Sequence, residues 1–197
     1  MLERLVERLL AGKPDKEAVI ALARARAAAV EAAPVLMQLC EQTSDPTFRC
    51  ICLDALGAIL HDSTHAHARA CADRLAGMIE DARYKRIRRR IALTLGEIGR
   101  SAVVALPALV RVLYSGVRGS VRVPAKWAIF RITWYAVHDG AVQDRRDGLA
   151  AVAGMSRPYA EWFTSQFSQS DELSECAAED VQVSLRKIRE SRRGRVT

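Results

Sequence analysis

Residues Ala72 to Ile98 read ADRLAGMIEDARYKRIRRRIALTLGEI, and the second half of the stretch carries Ile87, Ile91, Leu95 and Ile98 on one helical face. Apolar residues at i, i+4, i+8 and i+11 mark an amphipathic α-helix. With the shorter amphipathic segment before it and the polar turn between, the stretch reads as a helix pair. A pair of this size leaves its apolar face uncovered, so neighbours must stack on it.

Such neighbours are present on both sides. Ala33 to Ile59 (APVLMQLCEQTSDPTFRCICLDALGAI) and Leu106 to Ile132 (LPALVRVLYSGVRGSVRVPAKWAIFRI) align with Ala72 to Ile98 without a gap. In register stand Leu36, Leu75 and Leu109, then Arg49, Arg88 and Arg122, then Leu56, Leu95 and Ile129, then Ile59, Ile98 and Ile132; Gly57 also matches Gly96. Repetition at this period predicts an α-solenoid of stacked antiparallel helix pairs. The flanks extend the pattern less regularly. Leu2 to Leu10 and Asp15 to Val30 form an opening pair, and Ala141 to Met155, Tyr159 to Phe167 and Asp171 to Arg192 follow the turn at Asp139 and Gly140. The expectation is one all-α domain over residues 1–197, with clear repeats at 33–59, 72–98 and 106–132 and atypical capping helices at 1–30 and 141–192.

LGEIG at Leu95 to Gly99, ALPAL at Ala105 to Leu109 and the recurrent Arg at the start of each second helix resemble HEAT repeats. The resemblance implies a right-handed superhelix whose second helices line a concave side. It also implies a turn Asp paired with each recurrent Arg, which the first window supplies as Asp45 and the other windows replace with Tyr84 and Arg118.

Composition agrees with a helical fold and closes off other classes. The chain has 197 residues, half of them hydrophobic and 27% charged, which argues against disorder. Its 32 alanines favour helix. No apolar run approaches the roughly 20 residues of a membrane span, and the N-terminus MLERLVERLL carries acids where a signal peptide has basic residues followed by an apolar stretch. The expected setting is cytoplasmic, without a membrane. Five cysteines, with no CxxC, make a disulfide framework or zinc knuckle unexpected.

The net charge of +7 sits in one place: residues 83–140 hold 12 basic and 2 acidic side chains. RYKRIRRR, Arg83 to Arg90, is its densest run. On a wheel centred at Ile91, Ile87, Leu95 and Ile98 fall within about 40°, Arg88 lies at the border, and Arg86, Arg89, Leu93 and Arg100 fall opposite. Lys85, Arg90 and Glu97 lie on the flanks. The outward row continues as Cys50, Asp54 and His61 in the first window and Val123, Trp127 and Trp134 in the third. A partner-binding strip of Arg86, Arg89, Arg90, Leu93, Arg100, Trp127, Arg131 and Trp134 follows, basic at the rim and apolar at the centre. Against it stand ordinary solvated basic surface for the arginines, core packing for the tryptophans, and a structural role for Arg88, Arg49 and Arg122 at repeat junctions.

No phosphate loop, nucleophile elbow or HExxH motif occurs, so neither enzymatic activity nor a cofactor is expected. HDSTHAH (His61, Asp62, His65, His67) is the one metal-like cluster. Asp62-Ser63-Thr64 reads there as a turn that splits the pair His61 and His65, and no metal is expected. Tyr159, Trp162, Phe163 and Phe167 read as a closing core layer, and the Arg-rich end, RKIRESRRGRVT, as a solubilising or anion-contacting tail. The reading is a non-enzymatic scaffold for an acidic protein partner. Nucleic acid is the alternative partner, and an alkylpurine DNA glycosylase-like enzyme, with Trp127, Trp134 and Asp139 or Asp54 cast in its roles, is the remote one.

Overall fold

The computed structural model describes residues 2–10, 15–81, 85–115, 121–138 and 142–153, and these are all helical or turn, with no strand among them. The elements are α1 (Leu2–Leu10), α2 (Lys16–Ala25), a 3-10 segment (Arg26–Ala32), α3 (Ala33–Gln42), α4 (Pro46–Ile59), α5 (Ala66–Asp81), α6 (Lys85–Ile98), a second 3-10 segment (Gly99–Ala105), α7 (Leu106–Tyr114), α8 (Arg122–His138) and α9 (Val142–Ala153). Each of the three windows contributes a helix pair, α3–α4, α5–α6 and α7–α8. The helices foreseen over Tyr159 to Phe167 and Asp171 to Arg192 lie outside the described residues.

Contacts fall into two rows. Helices α2, α4, α6 and α8 touch in succession, as do α1, α3, α5, α7 and α9, and the partners within each pair touch across the rows. The apolar positions of the repeats meet in between. Leu36, Leu75, Leu109, Leu56, Leu95, Ile129, Ile59, Ile98 and Ile132 are all fully or almost fully buried, within one cluster running from Leu9 to Ala136. Each such Leu or Ile side chain contributes about 1.5–3 kcal/mol by leaving water.

Local chemistry fixes the helix ends. Asp45 caps α4, its carboxylate accepting the Thr47 amide at 2.8 Å, and Asp15 caps α2 through the Ala18 amide at 2.9 Å. Arg49 does not pair with Asp45. Its Nε donates to Cys40 O at 2.8 Å and its Nη2 to Thr43 O, so the guanidinium satisfies carbonyls at the end of α3. Arg88 repeats the device, donating Nη2 to Glu80 O near the end of α5 at 2.9 Å. Both arginines are therefore structural, through backbone carbonyls, but each ties together the two helices of one pair and not the junction between pairs. Arg122 opens α8 and is exposed. Pro124 falls in the first turn of α8, where a missing amide is harmless.

The two 3-10 segments are equivalent. Both have seven residues, both begin with a positive φ (Arg26 at 50°, Gly99 at 72°), and both lead into a helix with Pro in its first turn. Each stands immediately before the first helix of a pair, upstream of the aligned windows at α3 and α7. Through the second segment, Lys85 to Tyr114 form a run in which an 18-residue window reaches a mean hydropathy of 1.4. This corrects the reading that no apolar run approaches a span. The composition has a local cause, since 61% of that window is buried within the fold, as a core element requires.

Candidate interaction surface on α4, α6 and α8

The wheel position of α6 is correct for its buried side: Ile87, Ile91, Leu95 and Ile98 are buried, while Arg86 and Arg89 are exposed and Leu93 is half-buried. Arg100 falls outside α6, in the 3-10 segment, where the α6 wheel no longer applies, and is half-buried. Cys50 is corrected, because it is buried, only 3% exposed, and not turned outward.

Helices α4, α6 and α8 lie side by side, and small residues let them approach. A Cβ on Gly96 would stand 2.3 and 2.6 Å from two ring carbons of Trp127, so the indole lies directly on the α6 backbone. A Cβ on Gly57 would meet Glu97 Oε2 at 1.9 Å, so the Glu97 chain crosses α4 at that point. Thr94 ties the same helices, its buried hydroxyl lying 3.1 Å from Leu53 O and 3.0 Å from Arg90 O. Trp127 is pinned on one side and remains 37% exposed on the other.

Trp127 opens a stripe along α8. Seven residues are nearly two helical turns, so Trp134 follows on the same side, with Arg131 between them. The Arg131 guanidinium carbon lies 5.5 Å from the Trp127 ring centroid and 5.6 Å from that of Tyr135. Trp134 is half-buried, stacked on His138 with centroids 4.0 Å apart and tilted against Phe130 at 5.8 Å. Val123, 69% exposed, precedes Trp127 by one turn.

The strip's cations are less available than its sequence indicates. Arg90 Nη1 pairs with Asp54 Oδ1 at 2.9 Å. Arg131 Nη2 donates to Asp62 Oδ2 at 2.8 Å and lies 2.9 Å from His61 Nε2, and Tyr135 donates to the same Asp62 oxygen at 3.1 Å. Asp62 is held there by its own backbone. Its φ is 50°, its amide donates to Glu97 O at 3.1 Å, and its Oδ1 is buried without a partner among the described residues, above Gly99. Burial pushes the Asp54 carboxyl up, against Arg90 and Arg86. Burial likewise raises Glu97, helped by the charge of Asp54.

The surface is therefore mixed in sign. Arg86 and Arg89 stand toward the start of α6, with Lys85 and Arg122 also exposed, and Asp54, Glu97 and Asp62 stand toward the ends of α4 and α6. Sequence reasoning placed Asp54 in the outward row but missed the pairings. The alignment held a signal, because it sets Asp54 level with Leu93, one turn beyond Arg90.

The described thiols are core groups. Cys40, Cys50, Cys52 and Cys71 are buried and unbridged, and burial pushes Cys40 and Cys52 up to about 12 and Cys71 up to about 11. His61 belongs to the Arg131 cluster, whereas His65 and His67 stand with Glu31. Neither a scan of protein-family models nor a search of curated proteins finds a match to this chain.

Proposed function

We propose that the protein is a non-enzymatic binding module, a HEAT-type right-handed α-solenoid that presents the α4–α6–α8 row as the concave face to a protein partner. The observation that carries this reading is Trp127. A large aromatic side chain held flat on Gly96, with its outer face in water and a guanidinium beside it, has the character of a binding hot spot. Packing on the α6 backbone pre-orders the ring, so little side-chain freedom is lost on binding.

The charge layout selects the kind of partner. Arg86 and Arg89 favour acidic side chains at one end, while at the other Arg90 and Arg131 are already engaged by Asp54 and Asp62 and offer little to a continuous phosphate backbone. An acidic, amphipathic protein segment satisfies both ends, with an apolar residue on Trp127 and carboxylates toward Arg86 and Arg89. Nucleic acid would have to do without that end. The glycosylase-like assignment also weakens, since Asp54 is engaged by Arg90 and Trp134 by His138, and Asp139 lies outside the described residues.

The test is a binding titration of the full chain with a labelled acidic amphipathic helical peptide and, in parallel, a short DNA duplex. The peptide should bind, Trp127→Ala should weaken it by about 2 kcal/mol, and Arg86→Glu with Arg89→Glu should weaken it further in low salt. Duplex binding whose log K falls with a slope near −0.9 per phosphate contacted, combined with indifference of the peptide to Trp127→Ala, would replace this reading with the nucleic-acid one.

A further inference from the structure

Glu31, His65 and His67 converge at a place remote in sequence, 36 residues separating Glu31 from His67. His65 Nε2 lies 3.5 Å from Glu31 Oε1, His67 Nε2 lies 3.2 Å from Glu31 Oε2, and the two imidazole centroids are 4.6 Å apart. One donor atom from each residue fits within a span of 4.8 Å.

The backbone explains how residues two apart point the same way. Inside a helix they would diverge by about 200°. His65 precedes the first residue of α5, and its turn is fixed on both sides: its amide donates to Ser63 Oγ at 3.1 Å, and its carbonyl accepts the Ala68 amide at 2.9 Å. The ring of His65 is thereby brought beside that of His67 in the first turn of α5. Glu31 reaches both from the 3-10 segment Arg26–Ala32.

We infer that Glu31, His65 and His67 form an open site for one divalent transition-metal ion, with zinc the best match. Two donors bonded to zinc at about 2.0–2.1 Å and a tetrahedral angle stand about 3.3–3.4 Å apart. Each imidazole lies near that distance from one Glu31 oxygen, His65 from Oε1 and His67 from Oε2, and a set of one donor per residue, spanning 4.8 Å, needs only side-chain rotation to close. Two imidazoles and a carboxylate leave a fourth position for water or an external ligand. Calcium and magnesium, which need several oxygen donors, do not suit this set. The side chains are 77%, 40% and 32% exposed for Glu31, His65 and His67, so an ion enters without unfolding anything.

Local terms moderate the affinity. The positive end of α5 opposes a cation. Binding through His65 Nε2 also places the ring proton on Nδ1 and gives up the long 3.3 Å contact from the His67 amide. Bound metal would clamp the 3-10 segment to the start of α5, joining the pair α3–α4 to the next pair at a second point.

The experiment titrates the full metal-free chain with zinc by calorimetry and with cobalt(II) by visible absorption. One ion should bind per chain, and cobalt should show bands of a nitrogen and oxygen donor set, without the intense charge transfer of a thiolate. His65→Ala and His67→Ala should each weaken zinc by more than the roughly 10- to 100-fold typical of losing a supporting residue. The near-isosteric Glu31→Gln should weaken it at least about tenfold on the same scale, and His61→Ala should leave it unchanged. Absence of zinc binding, thiolate bands, or binding that survives both histidine substitutions would overturn the site and leave three hydrogen-bonded side chains.

Discussion

Gly57 and Gly96 occupy equivalent places in two successive repeats, yet replacing each with alanine should have opposite effects. In a helix interior alanine is favoured over glycine by about 1 kcal/mol. At Gly57 the new methyl meets the far end of Glu97, Oε2 at 1.9 Å and Cδ at 3.1 Å, and a half-exposed carboxylate chain can swing aside. The net effect is a gain of about 0.5–1 kcal/mol. At Gly96 the methyl meets ring carbons of Trp127 at 2.3 and 2.6 Å and Ala128 Cα at 3.1 Å. The indole must lift and α8 must give, at an overpacking cost of about 1–3 kcal/mol. After the alanine preference is credited, a loss of about 1 kcal/mol remains, or about 2–4 °C in Tm for a chain of this size. Urea unfolding supplies the free energies. Emission of a Trp134→Phe, Trp162→Phe background, in which Trp127 is the single reporter, supplies the geometry: it should shift red in Gly96→Ala and stay fixed in Gly57→Ala. Equal stabilisation by both alanines with unaltered emission would show that Trp127 does not rest on Gly96, and the proposed anchor would fall with it.

Arg26 stands at φ 50° and ψ −132°, a conformation that glycine tolerates and a side chain does not. Arg26→Gly should therefore raise stability by about 1 kcal/mol in urea unfolding, and a loss would mean that the strain is absent. Burial raises the Asp54 and Glu97 carboxyls, so the folded chain holds their protons above the ordinary values of 3.8 and 4.5. The unfolded chain releases them first, and this pair makes stability fall as pH rises from those ordinary values through the raised ones. Glu97→Gln should flatten that decline in stability measured against pH, and an unchanged slope would refute the assignment. Asp15 works in the opposite sense, because the Ala18 amide and then Arg8 hold it low; its contribution is present above 3.8 and is lost as pH falls through the folded value.

The helix pairs were legible because burial imposes one period on Ile87, Ile91, Leu95 and Ile98, and the same period recurs around Leu56 and Ile129. The exposure of Arg86 and Arg89 followed from the same wheel. Long-range pairing was not legible, since the partners Arg131 and Asp62 are 69 residues apart and meet only once α4, α6 and α8 are stacked. The 3-10 segments were hidden for another reason. RAAAVEA at Arg26 to Ala32 is strong helix-forming sequence, and an arginine gives no warning of the positive φ that Gly99 announces at the equivalent place. The grouping of Glu31 with His65 and His67 depends on that same segment, and a reading confined to HDSTHAH had no access to it.

The wound links between pairs make this chain unforgiving of insertions at some points and tolerant at others. Between α3 and α4, Thr43 to Asp45 form a short turn where an added residue bulges outward and leaves both axes in place. From Gly99 to Ala105 the backbone runs helically into α7, so one added residue would screw everything downstream by about 120°. Leu106, Leu109 and Leu113 would then rotate off the core together. Length drift in such a lineage should accumulate within the hairpins and be purged from the struts that join them.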